Sequence, residues 1–147
     1  MIRLSSPLLA CAIAVAAAIL PAPLMAAGPE GLWINAEGDT KVRVSRCGEG
    51  LCGTVAWLKE PNDSAGRPKT DKDNPDASKR SRRLIGLPVL IGMKPAGDGK
   101  WSGRIYNADD GNTYISNLAP AGENTLKVQG CVLGGLLCKT MNWSRSN

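Results

Sequence analysis

The chain has 147 residues, 43% apolar and 21% charged, with 18 basic and 13 acidic side chains and neither His nor Phe; this fits one globular domain with at most a short extra segment. The absence of His excludes Ser-His-Asp and Cys-His catalysis, His-ligated zinc and a histidine pH switch together.

Residues 1–27 read as a secretory signal peptide. Arg3 supplies the positive start, Leu8 to Leu20 is an unbroken apolar run of 13 residues, and Pro21 ends any helix. Cleavage is expected after Ala26 or Ala27. The run is too short for a membrane span, which needs about 20 residues. Leu8-Leu9-Ala10-Cys11 resembles a lipoprotein cleavage box, but here most of the apolar run follows the Cys instead of preceding it. Residues 28–147 are then the folded domain, periplasmic or secreted, with no transmembrane segment. Losing Arg3 leaves it 17 basic and 13 acidic groups. That mild balance, without RNP, helix-turn-helix or zinc-finger spacing, argues against nucleic acid and favours anionic envelope surfaces as partners.

All 17 Gly lie beyond residue 27 and punctuate short alternating runs. Candidate strands are Gly31 to Asn35, Thr40 to Arg46, Leu51 to Leu58, Leu87 to Lys94, Lys100 to Asn107, Thr113 to Leu118, Thr125 to Val132 and Leu137 to Arg145. Gly- and Asp-rich turns separate nearly all of them. The expected fold is all-β, an antiparallel meander of about eight strands closing into a barrel or a sandwich.

Four Cys remain after the signal, at 47, 52, 131 and 138, an even count that in an exported small domain argues for two disulfides. Their spacings are too wide for a zinc C-x-x-C. Pairing Cys47 with Cys52 sets Val44 opposite Val55 and Val42 opposite Trp57. Pairing Cys131 with Cys138 sets Val128 opposite Met141 and Leu126 opposite Trp143. Each hairpin then has one apolar face, with the bridge on the other, which selects local connectivity.

Between Glu60 and Arg83 the alternation stops. A polar loop this long is functional or disordered. Asn74-Pro75-Asp76 reads as a helix start, with Asn74 as N-cap and one to three turns running to Arg82. Asp71, Asp73, Asn74 and Asp76 look like a calcium loop, but Pro75 and Asp76 stand where the next ligand and the Gly belong, so no metal is expected. Lys79-Arg80-Ser81-Arg82-Arg83 is either a solvated helix face or an anion site, since guanidinium forks suit phosphate and carboxylate.

Gly31-Leu32-Trp33, Cys47-Gly48 with Leu51-Cys52-Gly53, Trp57-Leu58-Lys59, Asp71 with Asn74-Pro75-Asp76, Arg80-Ser81-Arg82, Ile105-Tyr106, Gly111, Tyr114 and Trp143-Ser144-Arg145 together resemble the exported bacterial family called domain of unknown function 2147. The resemblance covers nearly all of residues 30–145, with Arg83 and Ala108 standing where the family has Pro. It implies an exported, disulfide-linked β fold and brings no assigned activity. Gly31-Leu32-Trp33 and Arg145 also resemble the opening and closing residues of calycin, or lipocalin-like, barrels. That likeness implies structural roles for Trp33, Trp143 and Arg145, with an Arg packed over the Trp ring.

The leading expectation is a non-enzymatic barrel binding an apolar or anionic amphipathic ligand, such as an anionic lipid, or an envelope component, without cofactor. Arg80, Arg82, Tyr106, Tyr114 and Trp57 are the candidate ligand-binding residues. Arg80 and Arg82 carry the head-group role, beside the apolar run Leu84 to Ile91. The alternatives are an interaction or envelope-stress module with a filled barrel, and a hydrolytic enzyme. The enzyme would draw acids from Asp71, Asp73, Asp76 and Asp109 and proton donors from Tyr106 and Tyr114.

Overall fold

The computed structural model describes residues 28–147, together with the single residue Leu20. The signal-peptide reading of residues 1–27 therefore lies outside the described residues. Eight antiparallel strands follow one another as a meander: β1 Gly31–Ile34, β2 Thr40–Cys47, β3 Gly50–Leu58, β4 Pro88–Pro95, β5 Trp101–Asn107, β6 Asn112–Pro120, β7 Thr125–Val132 and β8 Leu137–Ser146. Pairing of β1 with β8, Trp33 opposite Arg145, closes the sheet into a barrel. Closure removes the unpaired edge that an open sheet would present to other chains.

Alternation places one side chain of every two inside. Trp33, Val42, Val44, Leu51, Val55, Leu90, Met93, Leu118, Leu126, Val128 and Trp143 form the buried core. Strand β7 pairs with β8 in the register read from the sequence, with Leu126 opposite Trp143, Val128 opposite Met141 and Cys131 opposite Cys138. Both local disulfides are present, Cys47–Cys52 and Cys131–Cys138.

The β2–β3 register differs from expectation by two residues. Cys47 lies opposite Gly50 and Ser45 opposite Cys52, so the first bridge runs diagonally with its Cα atoms 5.8 Å apart. The cause is a two-residue turn, Gly48-Glu49, with Gly48 at φ +62°. A slip of two preserves which side chains face inward, so Val42 pairs with Val55 and both stay buried. A bulge between Lys41 and Val42 then absorbs one extra residue of β3 and sets Trp57 opposite Lys41. Trp57 is accordingly 40% exposed, with Lys41 Nζ 5.4 Å from its ring. It does not share the inner face with Val42.

The expected helix from Asn74 to Arg82 is also corrected. Only a 3-10 turn, Ala77–Lys79, is formed, and its cap is Asp76, whose carboxylate accepts from Ser78 N–H. Asn74 is buried: its Oδ1 accepts from Asp76 N–H, and its amide donates to Asp71 and Tyr106.

Candidate functional site

The meander sorts its turns by end. At one end lie the β2–β3, β4–β5 and β6–β7 turns with the strap Gly28 to Glu30; at the other lie the β1–β2, β5–β6 and β7–β8 turns with the long β3–β4 loop.

The first end is plugged. Trp33 is completely buried, and its Nε1 donates to Pro29 O at 2.7 Å. Arg145 lies over the Trp33 ring at 4.2 Å. Its guanidinium donates to three backbone carbonyls, Glu123 at 2.6 Å, Glu30 at 3.0 Å and Gly28 at 3.2 Å. A planar five-donor fork is the side chain suited to satisfying three acceptors at once while stacking on an aromatic face. Beside it Arg46 pairs with Glu30 at 2.6 Å and lies 5.8 Å from the Trp101 ring.

The second end is open. A cavity of about 1120 Å³ enters the barrel there, bordered by Leu58, Ile105, Met141 and Trp143 below and by Lys59, Lys69, Asp109, Tyr114 and Lys139 nearer the rim. Gly130 is part of its wall: a Cβ there would meet only Ile105 Cγ2, at 3.8 Å. Tyr114 donates to Asp110 at 2.6 Å, and that bond raises the pKa of the phenol. Lys69 faces Glu60 at 3.8 Å, whereas Lys139 forms no ion pair among the described residues.

The β3–β4 loop forms one side of this opening, with Leu84 and Lys69 on the cavity and Leu84 N–H bonded to Lys69 O. It is pinned to the outer face of β5. Tyr106 donates to Asp71 Oδ1 at 2.6 Å; Asn74 donates to Asp71 Oδ2 at 2.8 Å, and Arg82 reaches the same oxygen at 2.9 Å. Asp71 is fully buried. Burial pushes its carboxyl pKa up, but the donors Tyr106, Arg82 and Asn74 together outweigh that and hold it below the ordinary value. Burial, then the Asp71 carboxylate, pushes Tyr106 up to about 12. The β5–β6 turn docks onto the same loop, since Gly111 sits where a Cβ would collide with Asp73 O.

The structure divides the sequence-derived candidates. Tyr114 borders the cavity and Tyr106 backs its wall while facing the loop. Arg82 is engaged with Asp71, and Arg80 donates to Asn74 O at 2.7 Å; neither is on the cavity, and Trp57 is on the outer surface. Of the calcium and enzyme candidates, Asp73 pairs with Lys72 at 2.6 Å and Asp76 with Lys79 at 3.4 Å. Asp71 and Tyr106 do meet, but in a sealed contact with every partner supplied by the protein. Among the described residues no three His, Cys, Asp or Glu side chains are grouped to hold a metal. Sequence reasoning did not assign Lys139, Met141 or Gly130 to a site. Their alternation with Cys138, Thr140 and Gln129 was the available signal, because it puts them on the inner face of β7 and β8.

An up-and-down barrel of eight strands, plugged at one end by a Trp–Arg pair and open at the other, is a lipocalin-like architecture. Among solved structures, protein HP1028 from Helicobacter pylori, described as belonging to the lipocalin family, superposes with a TM-score of 0.71 over 82% of this chain and 84% of its own. The two share 20% sequence identity, so the likeness is one of fold. The chain itself belongs to the family described as uncharacterized protein conserved in bacteria, DUF2147, which matches residues 31–145. No curated protein matches it.

Proposed function

We propose that the protein is an exported, non-enzymatic barrel that holds one small amphipathic ligand at its open end. The cavity carries this reading: a space of about 1120 Å³ with an apolar floor and a polar rim of mixed charge, on which Lys139 forms no ion pair among the described residues, suits an apolar tail below and an anionic group at Lys139 above. Met141, Ile105 and Trp143 would meet the tail, and Lys139 with Tyr114 the head group. Arg80 and Arg82 hold the loop that frames the rim. The two disulfides and the bacterial family are in keeping with export. An interaction module with a filled barrel is the weaker reading, because the upper barrel is not filled.

Titration with the fluorescent amphiphile N-phenyl-1-naphthylamine, followed by displacement with a fatty acid, tests the site. Saturable binding at one site is expected, lost in Gly130→Phe, whose ring would occupy the cavity. Absence of saturable binding, or undiminished binding by the Phe variant, refutes the reading. Export has its own test: intact mass of envelope material should correspond to a chain starting at Ala27 or Gly28.

A further inference from the structure

The β7–β8 connection is the most apolar exposed point among the described residues. Val132, Leu133, Leu136 and Leu137 are 41%, 72%, 89% and 62% exposed around Gly134-Gly135. Leu133 also holds a left-handed backbone, at φ +53°. Asn or Gly would relieve that conformation and be more soluble. A leucine kept in a strained backbone and in water is therefore placed for something other than folding. The Cys131–Cys138 disulfide ties the base of the finger. Val132, Leu137 and Lys139, on or beside it, also border the cavity.

We propose that this finger inserts into the surface of a lipid bilayer and sets the cavity mouth against it, so that an amphiphile passes between membrane and barrel without crossing water. The proposal rests on the cavity being an amphiphile site. The composition of the tip favours lipid over protein, since it offers Leu, Val and Gly and none of the Trp, Tyr or Arg that anchor protein interfaces. Its apolar surface is on the order of 400 Å², about half of what each partner contributes to a stable protein interface. The rim charges are nearly balanced, Lys59, Lys69 and Lys139 against Glu37, Asp39, Glu60 and Asp109, so burial of the leucines drives the contact.

Flotation of the disulfide-intact protein with phosphatidylcholine vesicles tests this. The wild-type chain should float, with partition unchanged between about 50 and 500 mM salt. The double variant Leu133→Asn/Leu136→Asn should partition more than tenfold less while melting no lower than wild type. Leu136→Trp should add a blue-shifted emission on vesicle addition. Gly130→Phe should lose the amphiphile probe and still float, which separates failure of the finger from failure of the cavity. Wild-type protein that does not float, or a double variant that floats equally, overturns the proposal. So does binding confined to anionic vesicles and abolished by salt. Self-association of the wild type that the double variant abolishes, without flotation, assigns the finger to a second copy of the chain instead.

Discussion

At the plugged end of the barrel Trp33, Leu51, Met93, Leu118 and Leu126 are fully buried, and a single guanidinium satisfies three backbone carbonyls above them. At the open end the barrel carries Thr40, Asn107, Tyr114, Gly130 and Lys139, and the space between them is unfilled. Strand alternation is equally regular at both ends, so secondary structure does not distinguish them. The difference lies in side-chain volume and in what covers each mouth. Packing is concentrated at one pole and open space at the other, the pole where the proposed function places the ligand, so substitutions near the mouth should cost the fold little.

Large-to-small substitutions should expose this asymmetry most. Trp33→Ala removes a wholly buried ring and the platform under Arg145, and should cost about 3–5 kcal/mol. Met141→Ala, on the cavity, should cost well under half of that. Urea unfolding of both variants measures the contrast, and equal costs would break it.

Asp71→Ala should come next, at about 3 kcal/mol, because it leaves the Tyr106 hydroxyl and the Asn74 amide without their acceptor. Its signature is in the pH dependence. The folded-state pKa of Asp71 lies below the unfolded value, so its contribution is present above the ordinary carboxylate pKa and disappears as pH falls through the lower folded one. Tyr106 acts in the opposite sense: its contribution is complete below the unfolded pKa of about 10 and disappears as pH rises through about 12. Stability of the wild type should therefore fall at both extremes, and Asp71→Asn should flatten the acid limb.

The two disulfides provide a matched pair, one at each end. They close loops of similar length, so removing either by a double Cys→Ser change should cost about 2 kcal/mol. Only loss of Cys131–Cys138, beside the mouth, should also weaken amphiphile binding.

The smallest effect concerns Ser116, a fully buried hydroxyl without a hydrogen-bond partner among the described residues. Ser116→Ala should raise stability by about 1 kcal/mol, measured as an increase in melting temperature.

The sequence was legible where contacts are local and periodic. In β7 and β8 the alternation of Leu126 and Val128 against Met141 and Trp143, with the Cys pair directly opposite, leaves one register possible. In β2 and β3 the same logic misses by two residues, because a bridge between Cys47 and Cys52 is also satisfied diagonally and a tight Gly48-Glu49 turn competes with it. At Asn74 the local contact read from the sequence does form, since its Oδ1 accepts from Asp76 N–H. Beyond Lys79 the chain folds back, with Arg80 donating to Asn74 O, onto a buried cluster that includes Asp71 and Tyr106. Tyr106 lies 32 residues from Asn74, a partner that no local capping rule contains. Arg82 is drawn away by the same buried carboxylate. The cavity was the least legible feature, since a void is defined by what Gly130 and its neighbours across the barrel do not fill.

Closure of the barrel by β1 and β8 has a kinetic consequence. Every other pairing joins strands adjacent in the chain, six of them through short turns and β3 to β4 through the long loop between Leu58 and Pro88. The eighth joins Trp33 to Arg145 across the length of the domain, and closing so long a loop is the entropically costly, slow step. Until Arg145 has been placed, β1 lacks its second neighbour and Trp33 its cover. A chain emerging N-terminus first thus holds an incomplete sheet until β8 arrives, which would make Arg145 the latch of assembly. Substitutions there should slow refolding as well as speed unfolding, whereas changes at the mouth should leave the folding rate unaltered.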